Sequence, residues 1–139
     1  MLQKPQFREN VIMLIDDNDI DNFINERMLK GCLFADVAYV TTSTRSAVEF
    51  LKNMSLNPTI GSEAFPSVIF LDINMPILDG FQFLEQLEKF DADFVKNLKV
   101  VMLTSSINPE DEMNARKSKL VHDFLHKPLT EDSLKKLSI

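Results

Sequence analysis

The chain has 139 residues, of which 45% are apolar and 26% are charged, so it fits one ordinary globular domain. Its net charge is −6 and it contains no long run of Lys or Arg, which argues against nucleic acid or a membrane surface as a partner. One cysteine, Cys32, excludes an internal disulfide, and the N-terminus lacks a secretory pattern. We therefore expect a cytoplasmic protein that is a monomer or a weak homodimer.

Residues 1–10 are polar and unpatterned, and they predict a loose leader before a domain that covers residues 11–139. Within this domain, five short apolar runs predict strands, at residues 11–15, 35–40, 68–71, 99–103 and 121–125. Uninterrupted runs with β-branched residues are typical of strands that are buried on both faces, as in a parallel sheet. The second run is the weakest, which favours a place at the edge of the sheet.

A helical pattern follows each run. The first predicted helix is capped by Asn18 or Asp19 and ends at Gly31, and the last two are capped by Asn108 and Thr130. The residues predicted to face the core from the first three helices are Ile20, Phe23, Ile24 and Met28, then Ala47, Val48, Leu51 and Met54, then Phe81, Leu84 and Leu87. Residues 55–66 are predicted to form a loop that is long for a compact domain.

Five strands that alternate with five helices predict an α/β fold. The specific prediction is a flavodoxin-like (βα)5 doubly wound parallel sheet with strand order 2-1-3-4-5, which places the weak second strand at an edge. In this order the first and third strands are neighbours at the centre, and the switch point, where such folds bind their ligands, lies between them.

Polar side chains stand at the carboxyl ends of four predicted strands. Asp16 and Asp17 follow the first, Asp72 ends the third, Thr104 the fourth, and Lys127 follows the fifth. Because parallel strands end at one edge of the sheet, the strand order predicts that these side chains converge.

A cluster of three carboxylates predicts a cation. Carboxylates about 4 Å apart repel by roughly 4 kcal/mol per pair at an effective dielectric of 20, so Asp16, Asp17 and Asp72 together require neutralisation or raised pKa values. The donors are all oxygens, which suits Mg²⁺. A carboxylate beside Mg²⁺ can attack a phosphoryl group, and Lys127 and Thr104 would then contact the anionic oxygens.

These residues resemble the receiver domain of two-component response regulators, the CheY-like domains, over residues 11–137. The resemblance rests on Asp16-Asp17, on residues 72–80 (Asp-Ile-Asn-Met-Pro-Ile-Leu-Asp-Gly), on Thr104-Ser105 and on Lys127-Pro128. It implies a stand-alone signalling phosphoacceptor, whose Asp72 is phosphorylated by a sensor histidine kinase or a histidine phosphotransfer protein. Such a protein is not an enzyme, beyond catalysing its own phosphorylation and dephosphorylation.

The resemblance also implies roles for the other site residues. Asp17, Asp72 and the main-chain carbonyl of Asn74 would bind Mg²⁺, with Asp16 assisting through water. Thr104 would move toward the phosphoryl group, and Phe124, which stands where Tyr is commoner, would be the aromatic residue coupled to it. A downstream protein target would bind the last two helices and the strand between them. The Lys127–Pro128 peptide bond is expected to be cis.

Three alternatives compete with this interpretation. A haloacid-dehalogenase-like phosphatase also uses an Asp nucleophile and Mg²⁺, but Asn74 occupies the position of its general acid. A pseudo-receiver would be a protein-binding scaffold with a silent site, against which the intact acids, Thr104 and Lys127 argue. Finally, Asp17, Asp19 and Asp21 mimic a calcium-binding EF-hand loop, which the sequence does not continue because it lacks the required Gly and the final Glu.

Overall fold

The computed structural model describes residues 6–57, 64–73, 79–90, 92–105 and 108–137. Within them lies one parallel sheet of five strands in the order β2-β1-β3-β4-β5. The strands are β1 (Glu9–Ile15), β2 (Ala35–Thr41), β3 (Val68–Asp72), β4 (Lys99–Thr104) and β5 (Val121–His126). The predicted fold class and strand order are confirmed.

Six helical segments connect or follow the strands in the described part of the chain. They are α1 (Asp19–Gly31), α2 (Thr44–Leu56), α3 (Gly80–Glu88), α4 (Ala92–Val95), α5 (Pro109–Ala115) and α6 (Glu131–Lys136). The sequence predicted five, and the additional one, α4, is a single turn with no buried residue. A single turn is too short to show a helical period in the sequence, so the sequence does not predict a helix there. No helix among the described residues has the length and apolar character needed to cross a bilayer.

The central strands alternate their side chains between two cores. Met13, Ile69 and Met102 point to the face covered by α2, α3 and α5, whereas Leu14 and Phe70 point to the face covered by α1 and α6. All five residues of β3 are buried, as the uninterrupted apolar run predicts for a strand with helices on both sides. The sheet thus presents its carboxyl edge between two helical layers.

Two predicted boundaries differ from the structure by two residues, while β2 and β5 each end one residue later than predicted. β1 begins at Glu9, so residues 9 and 10 of the predicted leader belong to the sheet. α2 ends at Leu56, so the predicted loop is shorter at its start, and residues 58–63 of it lie outside the described residues.

The predicted inward face of α1 is wrong for three of its four residues, whereas Met28 is half-buried and packs against the core. Ile20, Phe23 and Ile24 are 69%, 59% and 43% exposed, and the buried residues of the helix are Asn22, Asn25 and Leu29. Since the two asparagines have hydrogen-bond partners on other elements, specific bonds set the orientation of the helix and override its apolar stripe. The helix therefore turns apolar side chains outward.

The end of α1 is also built differently from the prediction. The helix does stop at Gly31, but Gly31 is not in the left-handed conformation expected of a terminating glycine. Leu33 takes that conformation instead, with φ of 55°. A leucine there is strained relative to a glycine.

Candidate metal centre

Three carboxylates meet at the carboxyl edge of the central strands. Asp16 directly follows β1, Asp17 comes next, and Asp72 is the last residue of β3, the neighbour of β1. One carboxylate oxygen from each of them lies within 4.8 Å of the other two. Asp16 and Asp72 are buried and Asp17 is exposed, so the cluster opens to solvent on one side. The structure thus brings together the acids that the sequence analysis singled out.

Lys127 places its ammonium group among these acids. Its main-chain N–H donates to the carbonyl of Thr104 at 2.8 Å, which fixes the start of the side chain next to β4. Its Nζ forms ion pairs with Asp16, with Asp21 at 3.1 Å and with Asp72 at 3.4 Å. Burial opposes the charge on Lys127, but its hydrogen bond to the Asp16 carboxylate and the charges of Asp72 and Asp16 outweigh this effect and raise its pKa above 10.5. Lys127 is therefore held as a cation.

Thr104 and Phe124 lie on β4 and β5, the two strands that follow β3 in the sheet. Thr104 ends β4 and is fully buried. Phe124 is part of β5, pairs with Met102 in the sheet, and belongs to the core cluster under α2 and α3. Its ring meets that of His126 edge-on, with the centroids 6.0 Å apart. Asn74, the remaining predicted site residue, lies outside the described residues.

The first turns of α1 are tied to the acidic cluster. Asp16 accepts a hydrogen bond from the main-chain N–H of Asn18, the N-cap residue, at 3.0 Å. The side-chain amide of Asn22 donates to the main-chain carbonyl of Asp16 at 2.8 Å. Asn25 accepts from the main-chain N–H of Leu129 at 3.0 Å, two residues beyond Lys127. One helix therefore holds both the segment of Asp16 and the segment of Lys127.

Asp21, Asn22 and Asn25 are the site-forming residues that the sequence analysis missed. An acid in the first turn of a helix is ordinary, so beyond the calcium-loop pattern Asp21 gives no signal in the sequence. Two asparagines three positions apart inside a helix do give one, because asparagine has a low helix propensity and is retained there when its side chain has a partner.

Gly80 allows α3 to approach the backbone next to Asp72. Its N–H donates to the carbonyl of Ile73 at 3.0 Å. A Cβ at this position would lie 2.8 Å from the carbonyl oxygen of Asp72 and 3.0 Å from the Cα of Ile73, which is closer than packed atoms tolerate. The absence of a side chain at Gly80 therefore helps to set the position of Asp72.

The donor set fits a magnesium ion. It consists of carboxylate oxygens only, two of them buried, and Mg²⁺ prefers oxygen ligands and retains waters on its open side. Asp16, Asp17 and Asp72 are the residues that would hold the ion. The calcium-loop alternative does not fit, because Asp21 turns to Lys127 and Asp19 is not a member of the cluster.

Comparison with known proteins identifies the family. The family model of the response regulator receiver domain matches residues 12–138, so the chain belongs to that family. A two-component response regulator from Cytophaga hutchinsonii has a similar structure, with a TM-score of 0.82 and 29% identity over 93% of each chain. The receiver fold and the two-component signalling class are thereby confirmed.

Two relatives, one much longer than this chain and one of comparable length, are similar to most of it. The sensor histidine kinase CheAY of Helicobacter pylori is 27% identical over 89% of this chain, which spans only 14% of that protein. The probable methanogenesis regulatory protein FilR2 of Methanothrix harundinacea is 25% identical over 91% of this chain and 77% of its own length.

Proposed function

We propose that the protein is a phosphoacceptor of a two-component phosphorelay, in which a sensor histidine kinase or a histidine phosphotransfer protein phosphorylates Asp72. The observation that carries the proposal is the arrangement of Asp16, Asp17 and Asp72 within 4.8 Å of one another, with the Lys127 ammonium 3.4 Å from Asp72. This buried carboxylate lies beside a fixed cation and a candidate metal site. Both would stabilise the charge of an acyl phosphate formed on it.

In the reaction, a carboxylate oxygen of Asp72 attacks the phosphorus of the donor phosphohistidine. A P–O bond forms, the P–N bond breaks, and the imidazole leaves with the bonding electron pair. Lys127 contacts an oxygen of the transferred group, and the hydroxyl of Thr104 donates to another. When bound, Mg²⁺ neutralises the charge that builds up on these oxygens. Positioning and charge neutralisation account for most of the catalysis.

Phosphorylation is proposed to change the surface at the β5 edge of the sheet. Thr104 moves toward the phosphoryl group, and the ring of Phe124, which already lies in the core, fills the space behind it. A downstream protein would then bind α5, β5 and α6. A shift of about 1–3 kcal/mol between two conformers suffices for such coupling.

The phosphodonor is proposed to dock on the outward face of α1. Ile20, Phe23 and Ile24 are exposed there, and exposed apolar residues in a cluster mark interaction surfaces. Ile24 also lines a groove together with Lys127, so this face is continuous with the site. A donor seated on α1 would hold its histidine over the open side of Asp72.

The docking face is tested by comparing two phosphoryl donors. Phe23→Ser is expected to slow transfer from a cognate histidine phosphotransfer protein by about tenfold or more, as for an apolar hot spot. Transfer from acetyl phosphate, which needs no docking, should stay unchanged. An equal loss with both donors would contradict a docking role.

The phosphoacceptor function is tested by intact-mass analysis after incubation with Mg²⁺ and acetyl phosphate. The wild type is expected to gain one labile phosphoryl group, and Asp72→Asn is expected to gain none. Asp132→Asn, which changes an exposed acid of α6, is the matched control and should behave as the wild type.

The same assay separates the alternatives. A protein that takes up no phosphoryl group and binds no beryllium fluoride with Mg²⁺ would be a scaffold, and the proposal would be wrong. Repeated turnover of ordinary phosphate esters would instead indicate a phosphatase.

A further inference from the structure

The ion pair between Asp21 and Lys127 is not needed to explain the metal cluster. Asp21 lies in the first turn of α1, and its Oδ2 is 3.1 Å from Nζ of Lys127, which comes 106 positions later in the chain. The side chain of Lys127 is 12% exposed and that of Asp21 is 37% exposed. The contact therefore lies at the rim of the site.

Helix capping does not explain the position of the Asp21 carboxylate. An acid at its position, three residues after the N-cap, often accepts from the N-cap N–H. Here the N–H of Asn18 donates to Asp16 instead, so the carboxylate of Asp21 is available to Lys127. Asp19 lies in the same turn and can interact with the helix dipole equally well, yet no contact of Asp19 with Lys127 is found in the described part of the chain.

The ammonium group has three hydrogens, and three carboxylates surround it. Asp16 and Asp72 belong to the metal cluster, and Asp21 does not. Since Asp21 and Asp72 contact the same nitrogen at 3.1 and 3.4 Å, their contacting oxygens are at most about 6.5 Å apart. A phosphoryl oxygen on Asp72 therefore competes with Asp21 for the ammonium group of Lys127.

We propose that Asp21 is a positioning residue that holds the Lys127 ammonium toward α1 and so restrains phosphoryl uptake on Asp72. This inference rests on the proposed phosphoacceptor function and adds a residue that sets its rate. Asp21 acts through Lys127 and does not contact the phosphoryl group. When the group arrives, the ammonium turns from Asp21 to a phosphoryl oxygen.

The test compares Asp21→Asn with Asp19→Asn at saturating Mg²⁺. Both variants remove one negative charge from the same helical turn, but only the first weakens the hold on Lys127. Asp21→Asn is expected to be phosphorylated by acetyl phosphate about three- to tenfold faster than the wild type and to bind beryllium fluoride more tightly by a similar factor. Asp19→Asn should stay within about twofold of the wild type, since an exposed charge is largely screened.

Two further variants separate positioning from a general effect of charge. In a Lys127→Ala background, Asp21→Asn should no longer alter the rate of phosphorylation, because the residue through which it acts is gone. Asp21→Glu, which restores the charge, should slow phosphorylation again relative to Asp21→Asn.

The outcomes distinguish the inference from the function on which it rests. If the wild type takes up no phosphoryl group, both are wrong. If the wild type is phosphorylated but Asp21→Asn behaves as Asp19→Asn, or is slower than the wild type, only the role of Asp21 is wrong. Persistence of the Asp21→Asn effect without Lys127 also contradicts the positioning role.

Discussion

At the scale of single residues, one ammonium group neutralises several acids. Lys127 forms ion pairs with Asp16 and Asp72, whose side chains are only 3% and 6% exposed. Removing a cation from buried carboxylates leaves their charges uncompensated, at a cost of about 2–4 kcal/mol. Lys127→Met is therefore expected to lower the free energy of unfolding by this amount in the absence of divalent ions, as measured by urea denaturation.

Added Mg²⁺ should restore much of this loss, because an ion held by the same carboxylates would bind the folded state only. Lys135→Met, in an exposed pair on α6, is the control and should change stability by less than about 1 kcal/mol.

The pKa of Lys127 is higher in the folded protein than its ordinary 10.5. The contribution of the Lys127 charge to the stability of the folded protein is therefore complete below pH 10.5, and it is lost as the pH rises through the folded-state pKa. A Lys127→Met protein as stable as the wild type at neutral pH would contradict this role.

The buried amide of Asn25 is a second residue with a specific contact. It accepts a hydrogen bond from the main-chain N–H of Leu129, and both groups are buried. Asn25→Ala leaves this N–H without a partner, so we expect a loss of about 1–3 kcal/mol in thermal or urea unfolding. Asn53→Ala on the exposed face of α2 should be nearly neutral. If the two substitutions had equal effects, the hydrogen bond would not be what orients α1.

At the scale of elements, two glycines in helices predict opposite effects of the same substitution. Gly31 has open space where a Cβ would be, so Gly31→Ala is expected to stabilise the protein by up to about 1 kcal/mol. At Gly80 the Cβ would press on the backbone of Asp72 and Ile73, so Gly80→Ala should cost about 1–3 kcal/mol.

Gly80→Ala should also slow phosphorylation by acetyl phosphate, since the clash falls on the backbone of Asp72, the proposed phosphoacceptor. Thermal melts and the intact-mass assay measure the two effects. A Gly80→Ala protein with wild-type stability and phosphorylation rate would show that α3 moves freely relative to β3.

The elements also show which features the sequence reveals. β3 and β4 were predicted nearly to the residue, because a strand with helices on both faces must be apolar throughout. The orientation of α1 was not predicted, because its polar contacts with the residue after β1 and with the segment after Lys127 depend on the tertiary structure. Its outward apolar residues are those proposed above to receive the phosphodonor.

At the scale of the whole molecule, Arg8 joins the two ends of the described chain. Its guanidinium donates to the carbonyls of Leu134 and Leu137 at 2.7 and 2.8 Å, at the end of α6, and lies 4.8 Å from the ring centroid of Phe34. Carbonyls at a helix end lack partners within the helix, and a cation there is favourable.

Arg8→Ala is therefore expected to lower stability by about 1–2 kcal/mol and to raise hydrogen exchange in α6 more than in the sheet. Arg45→Ala, at an exposed position of α2, is the control. Uniform exchange changes, or none, would contradict a local role for Arg8.

The acidic site was predictable from the sequence, since strand order alone brings Asp16, Asp17 and Asp72 to one edge. The contacts of Arg8 with α6 and of Asp21 with Lys127 were not predictable. Each joins residues more than 100 positions apart, and no pattern of spacing links such pairs.

The asparagine contacts of α1 have a mechanical consequence. Apolar packing weakens gradually as surfaces separate, whereas a hydrogen bond is lost over a fraction of an ångström. Asn22 and Asn25 hold α1 by such bonds in addition to the apolar packing of Leu29, so part of its attachment is lost over a short displacement. A displacement of α1 would therefore disturb the backbone of Asp16 and that of Leu129 together, on both sides of the pocket.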